Sequence, residues 1–192
     1  LAAEALGRAL HGVIGQAQPF EDCRQLIVVE TLIDGVGVFE ERLEERRRVP
    51  EPAGVTVSDI AVGPDGSVYG SDPLGGGIYV AAPTDAQMQT FIAPGTFRSP
   101  QGIAVRPDNS ALYVSDYRYG LAQVMLRSPH AYRMRVAQPT LLDGVDGLWL
   151  LGNRLIAVQN GVNPHRITAF TLGEGIGVIA TAEVLERGNP AW

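Results

Sequence analysis

The chain has 192 residues, 21 acids against 15 bases and a formal net charge of −6, and every base is Arg because Lys is absent. Without Lys there is no Schiff-base lysine, no phosphate-loop lysine and no lysine nucleophile. Cys23 is the only cysteine, which excludes an intrachain disulfide framework and a cysteine-rich zinc site, and no apolar run approaches the roughly 18 residues that span a membrane.

Residues 2–13 have the spacing of an amphipathic helix, and Glu4, Arg8 and His11 make that stretch a poor signal-peptide core. Residues 25–30 are strand-like through Leu26, Ile27, Val28 and Val29. Residues 38–49 predict a charged helix, ended by Pro50-Glu51-Pro52. Its run Arg46-Arg47-Arg48 comes after Glu40, Glu41, Glu44 and Glu45, so it reads as a solvated helix face, and no nucleic-acid partner is expected. Residues 1–52 therefore read as a mixed or helical N-terminal segment or linker, separate from the remainder of the chain.

Residues 53–192 contain a repeat. SDIAVGPDGSVYGSD (58–72), PQGIAVRPDNSALYVSD (100–116) and VDGLWLLGNRLIAVQN (145–160) share one plan. A polar residue precedes a short apolar run, then a tight turn rich in Asp, Asn and Gly, then a second apolar strand. Starting points Asp59, Gln101 and Asp146 lie 42 and 45 residues apart, the spacing of propeller blades. Third strands are predicted over 77–81, 121–126 and 166–172, and fourth strands over 87–92, 132–136 and 182–185. Four antiparallel strands per repeat make a blade. The fold class is therefore all-β: a partial β-propeller of about three four-stranded antiparallel blades behind the N-terminal segment, which is either a linker or a divergent blade. Single-chain propellers carry about four to eight blades, so the chain reads as a piece of a longer protein with an exposed sheet edge.

The strings SPQGIAVRPDNSALYVSD and VDGLWLLGNRLIAVQNG resemble the gluconolactonase/regucalcin-like family of six-bladed, TolB-like propellers, whose inner strands are similar to those of NHL-repeat propellers. The resemblance runs from about Val55 to the C-terminus. It implies metal-dependent hydrolysis of a sugar lactone or related cyclic ester, with a divalent metal at one mouth of the central channel. On that reading Asp146, in Val145-Asp146-Gly147, is a metal ligand and the general base. Gln101, in Pro100-Gln101-Gly102, takes the place of a ligating Asn. The family's first-blade Glu has no counterpart, and its substrate-contacting Arg and Asn fall on Thr56 and Ser58. The alternative is a non-catalytic module that binds a small-molecule ligand or a protein partner.

From their shared place in the repeat, Asp59, Gln101 and Asp146 are expected at one mouth. They read either as a polar channel lining or as oxygen ligands for Ca²⁺ or Mg²⁺, ahead of Zn²⁺. Asp72, Asp116 and Asn160 read as turn acceptors for backbone N–H groups. Tyr117-Arg118-Tyr119 suits an anionic or ring-shaped ligand, or else a blade-to-blade contact. Tyr117, Arg118 and Asn160 are the candidate substrate contacts. Trp149 is either interblade packing or a pocket wall. His11, His130 and His165 show no ligand spacing, and neither HExxH nor Gly-x-Ser-x-Gly is present.

Overall fold

The computed structural model describes residues 27–29 and 47–190. The chain divides into two compact units, Leu1–Arg48 and Val49–Trp192. β1 (Ile27–Val29) lies in the stretch expected to be a strand and pairs with β2 (Arg47–Val49) in a two-stranded sheet. The charged helix expected over 38–49 is corrected at its end, because Arg47–Val49 is extended. Val49 precedes Pro50, and the pyrrolidine ring biases the residue before it toward extended backbone. Positions 38–46 and the helix expected over 2–13 lie outside the described residues.

Apart from one two-residue strand, the sheets of the second unit's blades are antiparallel. Blade 1 is β3 (Asp59–Val62), β4 (Val68–Asp72), β5 (Gly77–Ala81) and β6 (Gln89–Ile92), in that order. Blade 2 is β7 (Pro100–Val105), β8 (Ala111–Asp116), β9 (Gly120–Met125) and β10 (Ala131–Arg133). The turns obey their sequence. Asp65 accepts hydrogen bonds from the Ser67 N–H and hydroxyl, each at 3.1 Å. Asn109 closes the β7–β8 turn at φ 54°, a left-handed conformation that Asn tolerates.

The third blade departs from the four-strand expectation. Beyond β11 (Arg135–Val136) come β12 (Val145–Leu151), β13 (Arg154–Gln159), β14 (Arg166–Leu172) and β15 (Val178–Arg187). β11 joins this sheet as a fifth strand, parallel to β15. The single strand expected over 132–136 is therefore split between two blades. Met134 marks the break: it is buried in the core between blades 2 and 3, and its N–H donates to Leu121 O at 2.8 Å. Gln123 strengthens the crossing, its Oε1 accepting the Gly177 N–H at 2.8 Å.

Two apolar cores lie between consecutive blades. Tyr69 and Ile78 of blade 1 pack on Ile103, Leu112 and Val114 of blade 2. Tyr113 and Leu121 of blade 2 pack on Leu148, Leu155 and Phe170 of blade 3. Alternation along each strand supplies one apolar face per core.

Candidate functional site

β7 packs against both β3 and β12, which identifies these three as the innermost strands. The approach is close because of Gly102, where an added Cβ would lie 2.5 Å from Leu148 N and 2.6 Å from Asp146 O. The repeats are not in strict register here. Asp59 stands opposite Ser71 in an unbroken ladder. In blades 2 and 3 the pairing shifts by one residue, between Pro100 and Ile103 and between Val145 and Gly147. Gln101 and Asp146 sit in these bulges, which re-aim their side chains.

Asp59 is a blade-to-blade tie. Its Oδ1 accepts the Ile60 N–H at 2.9 Å, and its Oδ2 accepts the Ile103 N–H of blade 2 at 2.9 Å. Burial pushes its carboxyl up to about 6; the two N–H donors oppose the shift, and the nearby Asp146 charge adds to it. Gln101 reaches back toward blade 1. Its Oε1 accepts the Ser58 hydroxyl at 3.0 Å, its Nε2 donates to Ser99 Oγ at 3.1 Å, and its backbone oxygen accepts the Ser71 hydroxyl at 2.6 Å.

Asp146 is exposed and belongs to a short row. Asn160 Nδ2 donates to Asp146 Oδ2 at 2.7 Å, and the Tyr117 hydroxyl donates to Asn160 Oδ1 at 3.0 Å. The row joins the β8–β9 turn of blade 2 to two ends of blade 3. Trp149 is 47% exposed and lies back over Gly147, where an added Cβ would meet its ring at 2.6 Å. Arg118 is exposed and makes no hydrogen bond or ion pair with a described residue. Tyr119 is held instead by Arg98 and Arg133, each with its guanidinium carbon 5.9 Å from the ring centre.

The three expected turn acceptors behave differently. Asp72 fits the expectation, accepting the Leu74 and Gly75 N–H groups at 3.0 and 2.8 Å. Asp116 is fully buried and ties the segment entering β7. It accepts the Arg98 and Ser99 N–H groups and the Arg133 guanidinium, the last at 2.7 Å. Asn160 caps no turn. Its neighbour Gln159 stands opposite Val145 just as Asp116 stands opposite Pro100. Gln159 is fully buried and donates to Leu141 O and Asp143 O in the segment entering β12. Sequence reasoning missed it because matching Asn160 to the two aspartates slips the third repeat by one residue. The signal was the shorter β12–β13 turn, Gly152-Asn153.

Among the described residues no group of three or more His, Cys, Asp or Glu side chains is placed to hold a metal ion. Asp59 fits poorly as a ligand, since both of its oxygens serve backbone N–H groups. Gln101 and Asp146 are the remaining oxygen donors of the expected set, short of the roughly six ligands that Ca²⁺ or Mg²⁺ takes.

No family model matches the chain, and no curated protein matches it. Solved structures do. A chain of a nidogen–laminin complex superposes with a TM-score of 0.63 at 16% identity, covering 79% of this chain and 57% of that one. Virginiamycin B lyase from Staphylococcus aureus gives 0.54 at 17% identity, covering 73% and 45%. A 6-phosphogluconolactonase-like protein from Bacteroides uniformis gives 0.52 at 19% identity, covering 78% and 46%. The chain spans about half the length of these structures. All are β-propellers, and the second unit of this chain has the same fold: part of a β-propeller.

Proposed function

We propose that the mouth formed by the starts of β3, β7 and β12 and by the β8–β9 turn binds a small polar ligand. Within it, Asp146 is the reacting carboxylate in hydrolysis of a sugar lactone or related cyclic ester. The observation that carries this reading is the Tyr117–Asn160–Asp146 row, which orients an exposed carboxylate through one oxygen. Asp146 takes a proton from water as the water oxygen bonds to the lactone carbonyl carbon. When the tetrahedral species collapses, the ring C–O bond breaks and the same proton passes to the departing alkoxide. Arg118 lies on the turn carrying Tyr117, where a guanidinium suits the oxyanion. Because the donor set falls short of a cation site, no step of the reaction is assigned to a metal.

The second reading is a non-catalytic module that binds a small molecule or a protein. It is favoured by Asp59 and Gln101 acting as blade-to-blade ties. One experiment separates the two. Lactone hydrolysis is followed by pH-stat with sugar lactones, with and without Mg²⁺ or Ca²⁺, for the parent chain and for Asp146→Asn. Hydrolysis that drops by about two orders of magnitude in the variant supports the base role. Equal rates remove Asp146 from the reaction. Calorimetric binding without turnover selects the second reading.

A further inference from the structure

A cleft of about 250 Å³ opens on blade 3, between residues 139–141 and the surface of β13, β14 and β15. It includes none of Asp59, Gln101 and Asp146. Gln159, Arg166 and Thr168 line it with polar groups, and Leu141 and Val184 supply apolar walls. Gln159 is locked in place. Its Nε2 donates to Leu141 O at 3.1 Å and to Asp143 O at 2.8 Å. Its Oε1 accepts the Thr168 hydroxyl at 2.6 Å and Arg166 Nε at 2.9 Å.

Arg166 is thereby held by a single edge. Its terminal amino groups have no acceptor among the described residues, although the chain carries 21 acids. Arg187 stands directly across the β14–β15 ladder from it and is exposed. Like charges directly opposite each other repel, and an anion between them would remove that cost. A guanidinium fixed by its Nε edge still presents two parallel donors, the geometry that grips a carboxylate or phosphate with two hydrogen bonds.

We propose that this cleft binds a small organic anion. Its carboxylate or phosphate head lies on Arg166, with Arg187 at the rim, and a short apolar tail rests on Leu141 and Val184. The test is calorimetry on the 192-residue chain with butyrate, inorganic phosphate and uncharged butyramide. The expected result is binding of at least one anion and none of butyramide. Butyrate alone assigns a carboxylate head, and phosphate alone assigns a phosphate head. Arg166→Gln should weaken binding about tenfold or more, and Arg187→Ala about threefold. Arg187 is exposed, so its variant keeps the fold and the test stands even if Arg166→Gln does not fold. No binding of either anion, butyramide binding as well as butyrate, or parental affinity in Arg187→Ala overturns the proposal, and so does parental affinity in a folded Arg166→Gln.

Discussion

Blades 2 and 3 carry the same repeat, yet they are buried differently. All six residues of β8 are buried, because blade 1 covers one face and blade 3 the other. β13 alternates between half-buried and buried, because blade 2 covers only one of its faces. Trp149 and its cross-strand partner Ile156 stand on the opposite face. The strand pattern is a property of the residues, but the burial is a property of the neighbours. A second contrast concerns polarity. Asp116 and Gln159 occupy matching ladder positions, and both tie down the segment that enters the inner strand. Asp116 does so as an acceptor of N–H groups, and Gln159 as a donor to carbonyls. The same fold requirement is met with opposite hydrogen-bond signs.

The sharpest way to break the interblade packing is Gly102→Ala. The new methyl group would meet backbone on β12, which cannot swing aside as a side chain can. We expect a loss of about 3 kcal/mol or more in urea unfolding. Gly152→Ala serves as the control: it has φ 61° with nothing within 4 Å of an added Cβ, so it should cost only about 1 kcal/mol of backbone strain. Equal losses would show that the close approach of β7 and β12 matters little.

The polarity contrast predicts two substitutions of similar cost and different pH behaviour. Asp116→Asn and Gln159→Glu should each destabilise by about 2–3 kcal/mol at neutral pH, since each leaves buried groups mismatched. In Gln159→Glu one carboxylate oxygen keeps the Arg166 and Thr168 donors, while the other faces two carbonyl oxygens and can donate to one only when protonated. That variant should therefore recover stability as the pH falls, whereas Asp116→Asn should not. Denaturant midpoints measured across a pH series decide it, and parallel pH curves would refute the assigned polarities.

A purely pH-dependent effect belongs to Asp59, the tie between blades 1 and 2. Its folded pKa, about 6, lies above the ordinary 3.8. Between those values the folded chain holds a proton that the unfolded chain has released. Asp59 therefore lowers stability progressively as the pH rises from about 4 through about 6, by about 3 kcal/mol in all, with the full penalty present above that window. The stability difference between the parent and Asp59→Asn should change across the same window. A difference that stays constant with pH would show that Asp59 titrates normally.

Much of blade architecture is written locally. Pro64-Asp65-Gly66 and Pro107-Asp108-Asn109 specify turns through their own backbone preferences, and the apolar runs beside them alternate as strands do. The third strands of blades 1 and 3 fall at 77–81 and 166–172, as the repeat predicts. The side-by-side packing of β3, β7 and β12 also joins equivalent strands of successive repeats. What a local pattern cannot carry is any contact whose partner lies a blade away. Tyr117 meets Asn160 across 43 residues, Asp59 reaches the Ile103 N–H across 44, and Gln123 reaches Gly177 across 54. The energy of these contacts depends on how two finished sheets dock. Docking decided that Asp59 is a tie with a raised pKa, that Gln159 and not Asn160 matches Asp116, and that β11 crosses to the next blade. The sequence by itself determined the repeat, its turns and its strands. The tertiary structure decided which polar side chains remain exposed near the starts of the inner strands and which are used up in holding the blades together.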